Sequence, residues 1–152
     1  RLQASGAPEA QALAGKAAVA NARLAYAQFL QVFGSERFAR LHALGARKQR
    51  PLWASTSTKN PAYRDVMYVE ELIGADTVNT VPPQTLTAFL DHGKVRNSIG
   101  ENLDSARALF TRLEALGIAM PQVTAQLEAE GVKAFADAFS VLLEVVDKRR
   151  RA

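Results

Sequence analysis

Hydrophobic positions in the first part of the chain recur at helical spacing. The alanine-rich segment Pro8–Phe33 carries its larger apolar side chains on one face and predicts a single long helix that ends at Gly34. Ser35 suits the N-cap of a second, short helix that runs through Leu44 and stops at Gly45. The pattern therefore predicts two helices before any strand.

The pattern becomes extended after residue 50. Pro51–Ser55 is a short apolar run opened by proline, and Thr77–Val81 is β-branched apart from its asparagine. Both segments predict buried strands. A polar loop, Thr56–Pro61, follows the first strand directly.

A helix is predicted after each of these strands. The first, Val66–Ile73, has Asp65 as its expected N-cap and Gly74 as its expected stop. The second opens at the proline pair that begins at Pro82 and runs to about Asp91. This alternation of helices and strands predicts an α/β fold with parallel strands covered by helices.

The remainder of the chain has a wholly helical pattern. Apolar stripes run from Leu103 to Leu113 and from Val132 to Val146, and Pro121–Glu130 predicts a short helix that Gly131 stops. The stripes favour packing in a core over binding of a cofactor. Two strands alone cannot form an adequate parallel sheet, so further strands are expected from another chain or from sequence outside this one.

Composition narrows the function classes. The 152 residues include no cysteine, which excludes disulfides and thiolate sites, and a membrane span is not expected. The net charge of +4 comes from the four basic residues Lys148–Arg151, without which 15 basic residues face 15 acidic ones. This tail favours a solvated helix end over a nucleic-acid site. The first six residues lack the apolar core of a signal peptide, so a cytoplasmic location is expected.

The loop after the first strand carries the candidate chemistry. Thr56–Lys59 holds three hydroxyl residues and a lysine, directly after Ser55. Ligands of α/β folds bind at the carboxyl ends of strands, where hydroxyls, loop amides and lysine suit a phosphate. The alternative is a solvated turn in which these hydroxyls satisfy local backbone groups.

Several segments resemble bacterial transaldolases. Arg50–Tyr63 is the most specific of them, Tyr68–Ile73 and Asp76–Pro83 follow it, and Gly15–Tyr26 resembles the helix that precedes them. The similarity extends over about residues 6–147. It is strongest to the branch that also occurs fused to a glucose-6-phosphate isomerase domain, so such a fusion is a further expectation.

The resemblance implies a partial (β/α)8 TIM barrel. Pro51–Ser55 would be the seventh strand and Thr77–Val81 the eighth, while residues 1–152 would form the C-terminal part of one barrel domain. Residues 1–93 would supply barrel elements and residues 94–152 the C-terminal packing helices. The N-terminal half of the barrel would be the missing partner of this chain.

The family transfers a dihydroxyacetone unit between sugar phosphates in the pentose phosphate pathway, through a lysine Schiff base and without metal or organic cofactor. Its alanine–serine pair at the end of the seventh strand corresponds to Ala54 and Ser55, which the resemblance implies would hold the substrate phosphate. Where the classical branch has an arginine, this chain has Ser57, so the basic role is carried over to Lys59. Thr56 completes the predicted phosphate-binding set.

Two further expectations concern residues around this set. Asn79 lies mid-strand and either points towards the site or satisfies buried backbone groups. His42 and His92 are expected to be surface or capping residues, and no metal site is predicted. None of the chain's six lysines fits the Schiff-base position of the family, and Lys59 is the only one at a strand end. The chain alone is therefore predicted to be inactive.

A second hypothesis is a non-catalytic helical binding module that recruits acidic partners through Lys148–Arg151. High helix content and the basic end motivate it. The hydroxyl-rich loop at a strand end favours the enzyme, because such a loop has no evident purpose in a helical adaptor.

Overall fold

The computed structural model describes Leu2, Gly6 and residues 8–151. The chain forms two compact units, one spanning Leu2–Thr111 and the other beginning at Arg112. In chain order the elements are α1 Pro8–Leu13, α2 Ala17–Phe33, α3 Glu36–Ala43, β1 Leu52–Trp53, α4 Met67–Glu71, β2 Val78–Asn79, α5 Pro83–His92, α6 Leu103–Ala115 and α7 Met120–Arg151.

The single helix predicted over Pro8–Phe33 is wrong, because the chain breaks between α1 and α2. Gly15 adopts a φ of +77°, which L-residues with side chains rarely take. A Cβ atom at this position would lie 2.7 Å from the ring of Tyr63. The break therefore brings the backbone close to a tyrosine that lies far along the chain, beyond β1.

The short helix α3 confirms the predicted cap. The Ser35 side chain accepts a hydrogen bond from the backbone N–H of Phe38 at 3.2 Å, which satisfies one of the free donors of the first turn. The helix gives way to Gly45, whose φ is +95° and whose N–H donates to the carbonyl of His42. Serine and glycine thus set the two ends as the sequence predicts.

The strands pair in parallel, as predicted, but they are shorter than the predicted segments. Leu52 is in register with Val78 and Trp53 with Asn79. The ladder ends with the Thr80 N–H, which donates to the Trp53 carbonyl at 3.0 Å. Regular pairing of β1 stops there because Ser55, two residues on, has a φ of +55°.

The helix between the strands, α4, begins differently from the prediction. Val66 occupies its N-cap without a side-chain hydrogen bond, so Asp65 is not the cap. The Asp65 carboxylate instead contacts His92. Gly74 is not the helix stop either, since α4 ends at Glu71.

The core of the first unit combines residues from α2, from the end of α4 and from the segment between α5 and α6. Tyr26, Phe29, Leu72 and Ile99 form a buried cluster, and Trp53 packs against it. The segment that carries Ile99 is fixed by two backbone N–H groups, of Ser98 and Ile99, that both donate to the carbonyl of Ile73. The cluster thereby anchors the end of β1, where the candidate chemistry begins.

The second unit contains α7, which continues through Gly131. The predicted stop at that residue is wrong, because the helix runs on to Arg151. Outside the helix's own backbone, no atom lies within 4 Å of the position that a Cβ would take at Gly131. The apolar stripe from Val132 to Val146 is exposed rather than packed in a core within the described chain. At the basic end, Arg150 and Arg151 both pair with Asp147.

No helix among the described residues is both long and apolar enough to cross a membrane.

Candidate functional site

A cleft of about 460 Å³ opens where β1 ends. Its walls come from the strand and the loop after it, from α2 and from α4. The lining residues are Ala18, Ala22, Leu52–Ser57, Lys59, Asn60, Tyr63, Tyr68 and Leu72. All four predicted phosphate-binding residues, Ser55, Thr56, Ser57 and Lys59, therefore lie together at one site.

Ser55 turns the chain away from the sheet. Its φ of +55° lies in the left-handed region, which for a residue other than glycine is unfavourable by roughly 1–2 kcal/mol. Neither of its neighbours, Ala54 and Thr56, has a positive φ. This single residue thus redirects the backbone into the loop that borders the cleft.

Thr56 joins the loop to the neighbouring strand. It is 3% exposed, and its Oγ1 donates a hydrogen bond to Asn79 Oδ1 at 2.8 Å. Asn79 itself does not line the cleft and reaches it through Thr56. The sequence leaves two possibilities for Asn79: it points towards the site, or it satisfies buried backbone groups. In the structure its side-chain oxygen instead bonds a side chain, the hydroxyl of Thr56.

Two buried polar atoms belong to cleft residues and have no hydrogen-bond partner among the described residues. They are the Ser57 hydroxyl oxygen Oγ and the Trp53 indole nitrogen Nε1. A buried donor left unpaired is unfavourable by about 1–3 kcal/mol. Both groups can donate to an acceptor-rich ligand, so they are compatible with an anion in the cleft.

The far end of the loop is fixed by its own hydrogen bonds. Thr58 Oγ1 donates to the carbonyl of Arg64 at 2.8 Å, and Asn60 Oδ1 accepts from the N–H of Ala62 at 3.0 Å. Lys59, which lies between them, is exposed and forms no ion pair with another described residue. Its ammonium group is thus available at the edge of the cleft, on a loop whose backbone is held on both sides.

An ion pair links α5 to the segment that follows this loop. His92 Nε2 lies 3.0 Å from Asp65 Oδ1, and His92 Nδ1 lies 3.1 Å from Asp91 Oδ2. The hydrogen bond with His92 lowers the pKa of Asp65 below its ordinary value. The hydrogen bonds with Asp65 and then Asp91 raise the pKa of His92. Both side chains are exposed, so we interpret the pair as a contact that holds the segment around Asp65 to the end of α5, and not as a catalytic group.

Sequence reasoning missed part of the cleft wall. Tyr63 and Tyr68 lie near the loop in sequence, but nothing local distinguishes them from ordinary helix and turn residues. Ala18 and Ala22 come from α2, and only the packing of that helix against the end of β1 brings them to the site. Their small side chains, spaced one helical turn apart, are the one signal in the sequence that a close approach is allowed.

Metal ligands do not cluster in the described part of the chain, where no three histidine, cysteine, aspartate or glutamate side chains are grouped to hold an ion.

Comparison with known proteins identifies the family. The model of the transaldolase/fructose-6-phosphate aldolase family matches residues 1–146. A transaldolase of Mycolicibacterium smegmatis is 53% identical over 145 residues, which cover 95% of this chain and 39% of that protein. A transaldolase of Parafrankia sp. is 50% identical over 147 residues, covering 96% of this chain and 40% of that protein. Transaldolase 2 of Streptomyces avermitilis is 50% identical over 145 residues, 95% of this chain and 39% of its own length.

The chain thus spans about 40% of the length of the curated relatives that it matches. The resemblance drawn from Arg50–Tyr63 and its neighbouring segments is confirmed by similarity over nearly the whole chain. The chain belongs to the transaldolase/fructose-6-phosphate aldolase family.

Proposed function

We propose that this chain is the phosphate-binding, C-terminal part of a transaldolase that transfers a dihydroxyacetone unit between sugar phosphates. The observation that carries the proposal is the cleft at the carboxyl end of β1, where Ser55, Thr56, Ser57 and Lys59 meet in a member of this family. The reaction would serve the pentose phosphate pathway in the cytoplasm.

The chemistry of the cleft suits a phosphate monoester. Lys59 offers an unpaired positive charge, and the hydroxyls of Ser55 and Ser57 can donate to phosphate oxygens. The buried Ser57 Oγ has no partner among the described residues, so a phosphate oxygen would satisfy it. Phosphate sites of barrel enzymes are often built from the loops after the seventh and eighth strands.

The proposed fold of the intact protein is a (β/α)8 barrel in which β1 and β2 are the seventh and eighth strands. Their parallel pairing and the helices α4 and α5 that follow them fit such a repeat. Leu52 and Leu90 are respectively 53% and 78% exposed, which fits apolar surface that other parts of a barrel would cover. In this arrangement residues 1–93 supply barrel elements and residues 94–152 supply packing helices.

The Schiff-base lysine would lie outside this chain, in the N-terminal half of the barrel. Such a lysine requires an apolar, partly desolvated pocket, in which its amine can lose a proton. Lys59 is exposed and stands between Thr58 and Asn60, so it fits a phosphate ligand better than a nucleophile. The chain by itself would then be inactive, and no metal or organic cofactor would be needed.

The test uses the full-length protein with Ser55→Ala and Lys59→Met. Ser105→Ala and Lys94→Met are matched controls, because both residues are exposed and neither lines the cleft. A hydrogen bond to a charged group contributes about 1.5–3 kcal/mol, so the Michaelis constant for phosphorylated substrates should rise roughly 10- to 100-fold in the cleft variants. It should stay unchanged in the controls. Wild-type kinetics in both cleft variants would refute the assignment.

The alternative of a helical module with a basic tail has weaker support. Two of its four basic residues, Arg150 and Arg151, already pair with Asp147, which reduces the charge available to an acidic partner. If this alternative held, deleting Lys148–Arg151 would weaken binding to an acidic partner or nucleic acid with a marked salt dependence, and a deletion without effect would remove it.

A further inference from the structure

The side-chain hydrogen bond between Thr56 and Asn79 links the loop after β1 to the neighbouring strand β2. The Thr56 hydroxyl donates to Asn79 Oδ1 at 2.8 Å, and Thr56 is almost fully buried. Asn79 is in register with Trp53, which lies three residues before Thr56 in the sequence. The strand residue thus makes a contact that lies beyond the last backbone bond of the ladder.

This contact and the end of the ladder hold Ser55 from both sides. On one side, the Trp53 carbonyl accepts from the N–H of Thr80 at 3.0 Å. On the other side, Thr56 is bonded to Asn79. Both anchors come from adjacent residues at the end of β2, while the unfavourable φ of +55° falls on Ser55 between them. A strained backbone conformation persists where its surroundings over-determine it, and these two anchors do so here.

We propose that Asn79 is a positioning residue for the phosphate site, which acts through Thr56 to hold Ser55 and Ser57 in place. This inference rests on the proposed function of the cleft. Asn79 does not touch the phosphate itself, since it does not line the cleft. Its amide oxygen fixes the Thr56 hydroxyl, and the fixed threonine sets the path of the backbone that carries both serines.

The contact favours positioning over simple core packing because of where the two polar groups lie. Thr56 is 3% exposed, and its hydroxyl is joined to Asn79 by a 2.8 Å side-chain hydrogen bond at the edge of the cleft. A buried threonine could equally be replaced by valine if only its volume mattered, whereas a positioning role requires the hydroxyl. The same chain offers a matched control in Thr87, which is exposed, does not line the cleft, and donates its hydroxyl within α5 to the carbonyl of Pro83 at 3.1 Å.

The experiment measures binding of inorganic phosphate to the full-length protein by titration calorimetry, and the Michaelis constant and kcat for a phosphorylated sugar. The variants are Thr56→Val, Asn79→Leu, their combination, and Thr56→Ser, which keeps the hydroxyl. Thr87→Val is the control. Losing one neutral hydrogen bond should raise the dissociation constant for phosphate roughly two- to tenfold in Thr56→Val and in Asn79→Leu.

Coupling gives the sharper criterion. The combined variant should bind phosphate no more weakly than the single variant with the lower affinity, because both substitutions break the same contact. Thr56→Ser, which keeps the hydroxyl, and Thr87→Val, which changes a threonine away from the cleft, should bind phosphate as the wild type does. The Michaelis constant for the phosphorylated sugar should follow the dissociation constant, while kcat stays within about twofold, as expected for loss of uniform binding.

The other outcomes each decide the matter. If Thr56→Val binds phosphate normally while Ser55→Ala does not, the role of Asn79 is overturned and the proposed function stands. Additive losses in the combined variant would also overturn it, since Asn79 would then act independently of Thr56. If Asn79→Leu does not fold, the comparison of Thr56→Val with Thr56→Ser decides instead. If neither Ser55→Ala nor Lys59→Met weakens phosphate binding, or the wild type binds none, the proposed function fails and this inference fails with it.

Discussion

Adding a single methyl group at Gly74 should be strongly destabilising. A Cβ built there would lie 2.1 Å from Cγ2 and 3.3 Å from Cβ of Ile99, and 3.6 Å from the ring of Tyr26. Ile99 is fully buried, and its N–H is bonded to the carbonyl of Ile73, so it cannot easily move away. The backbone at Gly74 does not have a left-handed φ, so the effect of Gly74→Ala would be steric.

The magnitude follows from the overlap. Carbon atoms in proteins pack at about 3.5–4.0 Å, so a contact of 2.1 Å forces a displacement of more than an ångström in a filled cluster. Overpacking of this kind typically destabilises by about 1–3 kcal/mol, and the extreme overlap places Gly74→Ala at the upper end. The sequence predicts that Gly74 only stops the helix, and a substitution at such a stop would destabilise less. The helix α4 already ends at Glu71, so the packing contact determines the effect of Gly74→Ala.

The assay is urea denaturation of the full-length protein, followed by fluorescence, for Gly74→Ala and for the matched control Gly100→Ala. Gly100 is adjacent to Ile99, but nothing lies within 4 Å of the position of its added Cβ, so its replacement should be neutral or slightly stabilising. Adding Ile99→Leu, which removes the methyl group on Cβ, should recover part of the loss in Gly74→Ala. Equal denaturation midpoints for the two single variants would refute the packing argument.

The remaining predictions concern an ion pair and a helix cap. The pKa of Asp65 is lowered from its ordinary 3.8, so its stabilising contribution is present above that pH and is lost as pH falls through the lowered value. The pKa of His92 is raised from 6.5, so its contribution is complete below that pH and is lost as pH rises through the raised value. His92→Asn should remove both dependences from the denaturation midpoint, and an unchanged pH profile would contradict the role of this ion pair. Ser35→Ala should destabilise by about 0.5–2 kcal/mol through loss of the cap on α3, and a change below the error of urea denaturation would contradict it.

Local signals were sufficient where one residue sets a boundary. Ser35 caps α3 and the proline pair opens α5, because capping and the restricted φ of proline depend only on neighbours in sequence. The parallel pairing of β1 and β2 followed from the alternation of strands and helices. These features could be predicted from the sequence alone.

Glycines were misread because their effect depends on distant contacts. Gly15 breaks a helix whose composition favours continuation, and the ring of Tyr63 occupies the space beside it. Gly131 has no such neighbour, and the helix passes through it at an expected penalty of about 1 kcal/mol. Sequence patterns do not contain the tertiary contact that separates these two cases.

The sequence predicts which loop forms the candidate site, but it does not predict the geometry of that site. Ser55, Thr56, Ser57 and Lys59 follow a strand, and that position together with the family resemblance predicted them as one site; the structure brings them to one cleft. The left-handed φ of Ser55 and the bond from Thr56 to Asn79 were not predictable, because both arise from the register of two strands.

We propose that this chain supplies the phosphate site and that the Schiff base forms elsewhere in the full-length protein. The most direct measurement is to incubate the full-length protein with a dihydroxyacetone-donating sugar phosphate, reduce it with borohydride and locate the modified lysine by peptide mass spectrometry. We expect an adduct on a lysine outside these 152 residues, and the same adduct in Lys59→Met at saturating substrate. An adduct on Lys59, or on any of the other five lysines of this chain, would contradict it.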